Sequence, residues 1–171
     1  MYLFSLLLTV IVIVVFLVWF VRKPIRSNIH NFKIVSPCDG KIMSVENNHI
    51  SVFLSVFDVH WQYVPINSEI KSIKVIHGSH NMAFNPESSH NEGIKVIFQS
   101  EIGDISVTQR VGFFVRRIQN TITIKDSVRQ SEPYGIIRFG SRVDIELPKH
   151  LSTKHLKVGD KLTGGVSALV I

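Results

Sequence analysis

Ser36-Pro37-Cys38-Asp39-Gly40-Lys41-Ile42 near one end of the chain and Lys157-Val158-Gly159-Asp160-Lys161-Leu162 near the other each set an Asp and a Gly in a tight reversal beside an apolar run. Both residue types favour turns: Gly enters positive φ without a Cβ penalty, and the short Asp carboxylate bonds its local backbone. Between and around these turns the sequence breaks into short runs rich in β-branched and aromatic residues, each bounded by a turn signal. Strands are expected at 33–35, 41–45, 50–55, 69–76, 94–99, 102–109, 120–125, 134–139, 143–147 and 162–170. The apolar/polar alternation of Ile70 to Ile76 slips once, which fits either a bulge or a two-sided environment. Residues 77–91 are polar and contain Pro86, and read as a long loop. Phe113 to Ile118 is too short a run for periodicity to decide between helix and strand.

Many short strands and no long amphipathic helix beyond residue 32 give a mainly β fold. The paired Asp-Gly turns resemble the two halves of the barrel-sandwich fold of biotin- and lipoyl-carrier domains. That resemblance implies a compact barrel-sandwich-like β domain over residues 33–171. Only the architecture carries over, because no hairpin presenting a modifiable lysine is evident.

Leu3 to Val21 holds 19 residues without a charge. As a helix such a run reaches about 28 Å, close to the ~30 Å of a bilayer's hydrocarbon core. Nothing basic precedes it and bulky Trp19-Phe20-Val21 ends it, unlike a cleavable signal peptide. It is apolar all round, unlike a core helix with one polar face. Residues 1–21 are therefore expected to be one N-terminal transmembrane helix, and 22–32, polar with Pro24, a linker. Arg22, Lys23 and Arg26 follow directly, which by the positive-inside rule leaves the β domain on the cytoplasmic side of the cell membrane.

The formal net charge of +6 is no argument for nucleic acid. Three of the basic residues flank the helix and every acidic residue lies beyond it, so the remainder carries only a modest positive balance. Anionic headgroups or a mixed solvated surface account for that. The lone Cys38 excludes an internal disulfide and a Cys-based zinc site. His77, His80 and His90 follow no recognised ligand spacing, so no metal is expected.

Few residues signal chemistry singly. In Ile137-Arg138-Phe139-Gly140-Ser141-Arg142-Val143-Asp144 a hydroxyl directly follows a glycine carbonyl. Such a serine can attack that carbonyl, shift the acyl group from nitrogen to oxygen and eliminate, leaving a pyruvoyl group. A Gly-Ser turn is the plainer reading of the dipeptide. Asp39 alone reads as a hairpin turn. Asp58 and His60 are two apart, so in a strand both would share a face and the carboxylate could orient the imidazole, a proton carrier near neutral pH.

Taken together, Ser36–Ile42, Phe53–His60, Asn91-Glu92, Val111–Ile118 and Tyr134–Asp144 occur in the order found in phosphatidylserine decarboxylase proenzymes, and the chain most closely resembles their short form. The resemblance implies self-cleavage between Gly140 and Ser141 into pieces 1–140 and 141–171, with Ser141 becoming the pyruvoyl cofactor. Asp39 matches the aspartate of the family's Asp-His-Ser processing triad. His60 matches the first histidine of an Asp-x-His-x-x-His-x-Pro pattern in longer relatives, whereas the second, the triad histidine, falls on Tyr63. Tyr63 is a poor base at neutral pH, its ordinary pKa being about 10, which leaves His60 as the nearest substitute.

The resemblance further implies a Schiff base between the ketone and the serine amine of a phospholipid, loss of CO2, return of a proton by His60, and release of phosphatidylethanolamine. Membrane and phospholipid are the implied partners. Trp61, Phe113 and Phe114 are candidate headgroup contacts. Whether copies of the chain associate is left open. Two other readings remain: a non-enzymatic, membrane-tethered barrel-sandwich adaptor module, and a decarboxylase of another serine phospholipid.

Overall fold

A computed structural model describes residues 2–29, 31–112, 117–138 and 141–170. The helix α1 (Tyr2–Phe20) is 19 residues long, with only Phe20 buried, and is long and apolar enough to cross a membrane. Everything that follows is mainly β, as expected.

The largest sheet has eight strands in the order β12 (Lys161–Leu162), β2 (Gly40–Glu46), β3 (His49–Leu54), β11 (Ser141–Glu146), β7 (Gly103–Arg110), β6 (Gly93–Ser100), β5 (Ser68–Ile76) and β9 (Ser127–Val128), all antiparallel neighbours. A three-stranded sheet sets β10 (Pro133–Ile137) between β4 (Trp61–Tyr63) and β8 (Ile118–Asn120), and β1 (Ile34–Val35) pairs with β13 (Ala168–Val170). The remaining short element is a 3-10 helix at Pro86–His90, within the polar loop.

The two Asp-Gly turns meet: Lys41 pairs with Lys161, and Gly40 with Leu162. Gly40 has φ +141°, and a Cβ there would fall 2.3 Å from the Phe53 carbonyl oxygen, so only glycine lets β2 approach β3 this closely. Asn47 and Asn48, at φ 47° and 65°, make the reversal between these strands, the positive-φ pair that a two-residue hairpin needs. The register of β5 shifts between Ile70 and Ser72, which decides for the bulge of the two alternatives. The eight-stranded sheet closes on no partner among the described residues, so "barrel-sandwich" is too specific a term for its shape.

Expectation and structure differ at short elements. Strand 120–125 reduces to β8, ending at Asn120, because Thr123 and Asp126 close a turn through Thr123 N–H to Asp126 Oδ2 at 2.7 Å. Strand 162–170 divides into β12 and β13 around the turn at Gly164-Gly165. The three-residue β4 and two-residue β9 were not anticipated.

β11 sets the geometry of the site. Ser141, Val143 and Ile145 share one face, opposite Leu54, Val52 and Ile50 of β3; Val143 and Ile145 join the apolar core and Ser141 is buried beside them in the strand. Arg142 and Asp144 occupy the other face, also buried, at 7% and 2% exposure. Asp144 accepts hydrogen bonds from Arg142 Nε, Arg110 Nε (both 2.7 Å) and Ser51 Oγ (2.8 Å). Arg142 also donates to Ser51 Oγ, Ser88 Oγ and the Pro86 carbonyl, so the 3-10 helix covers this charged face. Burial pushes the Asp144 carboxyl up, but the two guanidinium hydrogen bonds more than reverse it and hold it below the ordinary carboxylate value.

Such a carboxylate stabilises the fold above its unfolded pKa, and the contribution is lost as pH falls through the lower folded value. Asp144→Asn removes one partner of a buried charged cluster and is expected to cost about 3–5 kcal/mol. The check is thermal unfolding in detergent at neutral pH, where a change below about 1 kcal/mol would contradict the role assigned to the cluster.

Candidate active site

Ser141 opens β11 and is fully buried, and its Oγ has no hydrogen-bond partner among the described residues. Gly140, whose carbonyl is the expected target, lies outside the described residues, as do Phe113 and Phe114. The serine stands where the chain crosses between sheets. β10 ends at Ile137, whose N–H donates to the His60 carbonyl at 3.1 Å, and β11 begins four residues later. At most about 14 Å of extended chain can separate Ile137 from Ser141.

His60 precedes β4 and is also fully buried. Its Nδ1 is 2.9 Å from the Asp58 backbone carbonyl. A carbonyl only accepts, so Nδ1 carries the hydrogen and Nε2 is the basic nitrogen of the neutral ring. Nε2 is buried and has no partner among the described residues. Desolvation lowers the His60 pKa below its ordinary value; the Asp58 carbonyl and the charges of Asp58 and Asp39 oppose the shift without cancelling it.

The expected carboxylate–imidazole pair does not form. Residues 58 and 59 are not strand, and Asp58 Oδ2 accepts from the N–H and Oγ of Ser55, both at 2.8 Å, closing a tight turn. Asp58 orients His60 through its main chain instead.

Asp39 and Tyr63 come together around a residue that had read only as helix flank. Arg26 forms an ion pair with both oxygens of Asp39, donates to the Gly164 carbonyl at 2.8 Å, and stacks its guanidinium over the Tyr63 ring at 4.8 Å. Gly164 N–H completes the Asp39 set at 2.8 Å. The Tyr63 hydroxyl donates to the Pro24 carbonyl at 3.0 Å, and burial raises its pKa further, so it stays a protonated phenol at neutral pH.

The end of α1 is equally engaged. The Phe20 ring lies 4.3 Å from the His60 ring, and Trp61 Nε1 donates to the Val21 carbonyl at 3.0 Å. Lys23 sits over the Trp61 ring at 4.4 Å. Residues 20–26 are thus part of the site's wall. Sequence carried no signal for Phe20, which is one apolar residue among many, and the topological reading of Arg26 hid its second role.

Asn91 is fully buried and braces the polar loop: its Oδ1 accepts from Asn81 N–H at 2.7 Å, and its Nδ2 donates to the Asn81 and Val111 carbonyls. His80 is engaged with Glu92 at 3.1 Å. A cavity of about 490 Å3 lies beside the site, with Asp39, Phe53, Ser55 and Asp58 in its lining. A second, of about 460 Å3, lies between the linker and residues 130–133 and includes Arg26 but none of the other site residues.

A profile of the phosphatidylserine decarboxylase family matches residues 13–169. A protein of Methanococcoides burtonii, provisionally named archaetidylserine decarboxylase proenzyme, is 37% identical over 155 residues, covering 90% of this chain and 74% of its own. The phosphatidylserine decarboxylase proenzyme of Streptomyces griseus is 35% identical over 158 residues, covering 90% and 73%. That of Burkholderia mallei is 32% identical over 170 residues, covering 92% and 78%. No solved structure matches the chain.

Since desolvation sets the His60 shift, Phe20→Ala is expected to admit water to the ring and move its pKa up towards 6.5. Histidine proton NMR titration of the wild type and the variant is the check. An unchanged midpoint would remove Phe20 from the electrostatics of the site.

Proposed function

Because the chain belongs to the phosphatidylserine decarboxylase family, we propose that it is a self-processing, pyruvoyl-dependent enzyme that converts phosphatidylserine to phosphatidylethanolamine. The observation that carries the reading is the pair of buried atoms Ser141 Oγ and His60 Nε2, neither with a partner among the described residues. A buried polar group left without a partner costs about 1–3 kcal/mol. Ser72 and Ser106 hydroxyls are unpartnered too, so orphaning alone marks nothing. What distinguishes this pair is chemistry: a nucleophile after a glycine carbonyl at the end of the crossover, and a neutral imidazole on a residue whose main chain is bonded to the crossover's start at Ile137.

In this reading His60 Nε2 takes the Ser141 hydroxyl proton while the oxygen attacks the Gly140 carbonyl carbon. The peptide C–N bond breaks as the nitrogen regains a proton, leaving an ester. Removal of the Ser141 α-proton then expels the Gly140 carboxylate, and water replaces the freed nitrogen, released as ammonia. The resulting ketone supplies an electron sink beside the substrate's departing carboxylate. Asp39 and Tyr63, held by Arg26, form the wall beside His60 rather than a relay to it.

The chain then divides into pieces of 140 and 31 residues. The shorter stays bound in this reading, since β11 lies between β3 and β7. Residues 1–21 anchor the enzyme in the cell membrane, 22–32 link it, and the basic flank favours a cytoplasmic active domain. Relatives are named for both phosphatidylserine and archaetidylserine, lipids that share the reacting serine.

Intact-mass analysis of purified protein tests this. Wild type is expected as two pieces, the shorter blocked by pyruvate, and Ser141→Ala as one; an uncut wild type would overturn the proposal and favour the adaptor reading. His60→Gln should slow cleavage by about 10²–10⁴-fold. With its pKa lowered, His60 is more than half neutral at pH 6.5 and increasingly so above it, so the cleavage rate should rise on the acid side, with a midpoint under 6.5, and level off towards neutrality. A midpoint above pH 7 would assign the base elsewhere.

A further inference from the structure

The face of the β domain next to α1 carries exposed apolar residues: Phe57 is 69% exposed and Phe84 62%, with Val56 and Met82 beside them in sequence. Scattered single residues of this kind need no explanation. These are connected. The Phe57 ring lies 6.3 Å from Trp19 of α1, Phe57 and Phe53 line the same 490 Å3 cavity, and the Phe53 ring lies 6.4 Å from Phe84. Arg22 stacks over Trp19 at 3.8 Å and donates to the Phe57 carbonyl at 3.1 Å, which fixes the turn at the level of the helix end. In a bilayer-crossing helix Trp19 and Arg22 mark the headgroup layer, and Phe57 then sits at that depth.

The cavity along this strip has a charge to settle. Its carboxylates are occupied, Asp39 by Arg26 and Asp58 by Ser55. Its cations are not: Lys41 and Lys161 are exposed, stand directly opposite each other on β2 and β12, and have no ion-pair partner among the described residues. Like charges facing across a strand pair are destabilising, and a bound anion relieves that repulsion. The cavity wall reaches β3, the neighbour of the nucleophile's strand: Phe53 and Ser55 flank Leu54, the residue paired with Ser141.

We propose that this face lies on the bilayer, with Phe57 and Phe84 at the acyl–headgroup boundary, and that Lys41 and Lys161 hold the phosphodiester of the lipid whose serine headgroup is turned towards Ser141. The assignment of that lipid as substrate rests on the decarboxylase reading; the membrane depth and the anion site do not.

Two measurements test it on the full-length protein. Cys38 is buried, so Phe57→Cys accepts a single environment-sensitive label. Bromine on the lipid acyl chains of phosphatidylcholine vesicles should quench it, and an unquenched label would overturn the membrane contact. The double variant Lys41→Gln/Lys161→Gln should raise the apparent KM for phosphatidylserine vesicles at least about tenfold and lose binding of soluble glycerophosphoserine, while Lys41→Arg/Lys161→Arg retains both and intact mass reports normal cleavage. Unchanged KM and unchanged binding would overturn the anion site and leave the decarboxylase intact. Lysine-dependent binding by a protein that never releases CO2 would do the reverse.

Discussion

The carboxylate of Asp144 is the constraint on which the rest of the molecule turns. β11 runs through the middle of the large sheet with one face in the apolar core, and its other face carries a charge that water does not reach. A buried carboxylate is tolerable only when its lone pairs are met. Here Arg142, Arg110 and Ser51 meet them, and Arg142 in turn draws in Pro86 and Ser88. The polar segment 77–91 has little apolar surface of its own to bury; it is held by this cluster and by the Asn91 side chain. The same contacts fix the register of β11, and so where Ser141 begins the strand.

A second consequence concerns the N-terminal helix. A tether would need only length and apolarity, yet Phe20 packs on His60, Trp61 bonds Val21, Tyr63 bonds Pro24, and Arg26 neutralises Asp39. Deleting residues 1–26 would therefore expose the His60 ring and strand a partly buried carboxylate as well as remove the helix able to cross a membrane. Any loss of activity would mix the two causes. A cut that leaves Phe20 onward separates them.

Much of this was legible in the sequence, for reasons that differ by element. Long strands announce themselves by alternation, and the slip in Ile70–Ile76 fitted a bulge or a two-sided environment, which the register settles as a bulge. The two Asp-Gly turns were legible as turns, and the structure adds that their strands pair with each other. β4 and β9 were invisible: two or three residues carry no period, and they form because β10 and β5 offer edges to pair with. Asp58 and His60 misled through an assumption of strand geometry; Ser55, three residues earlier, was the signal that Asp58 would cap a turn. The pairing of Arg26 with Asp39 could not be read, since the two lie 13 residues apart in the chain.

Tyr63 sharpens the question of the base. Asp39 takes the Arg26 guanidinium as its partner, and that guanidinium stacks over the Tyr63 ring; under the proposed function the proton-handling task falls to His60. Its orientation by a neutral carbonyl suits that task, because an acceptor on Nδ1–H leaves the lone pair on Nε2. Nδ1–H to Asp58 fixes the tautomer, and burial keeps the ring neutral. Under the proposed function, one neutral base then serves twice. It takes the Ser141 proton during processing, and later the proton that a substrate ammonium must lose before its nitrogen can act as a nucleophile. A ring loaded in that second way is the proton donor that decarboxylation afterwards requires, so the lowered pKa that suits His60 to cleavage does not disqualify it from turnover.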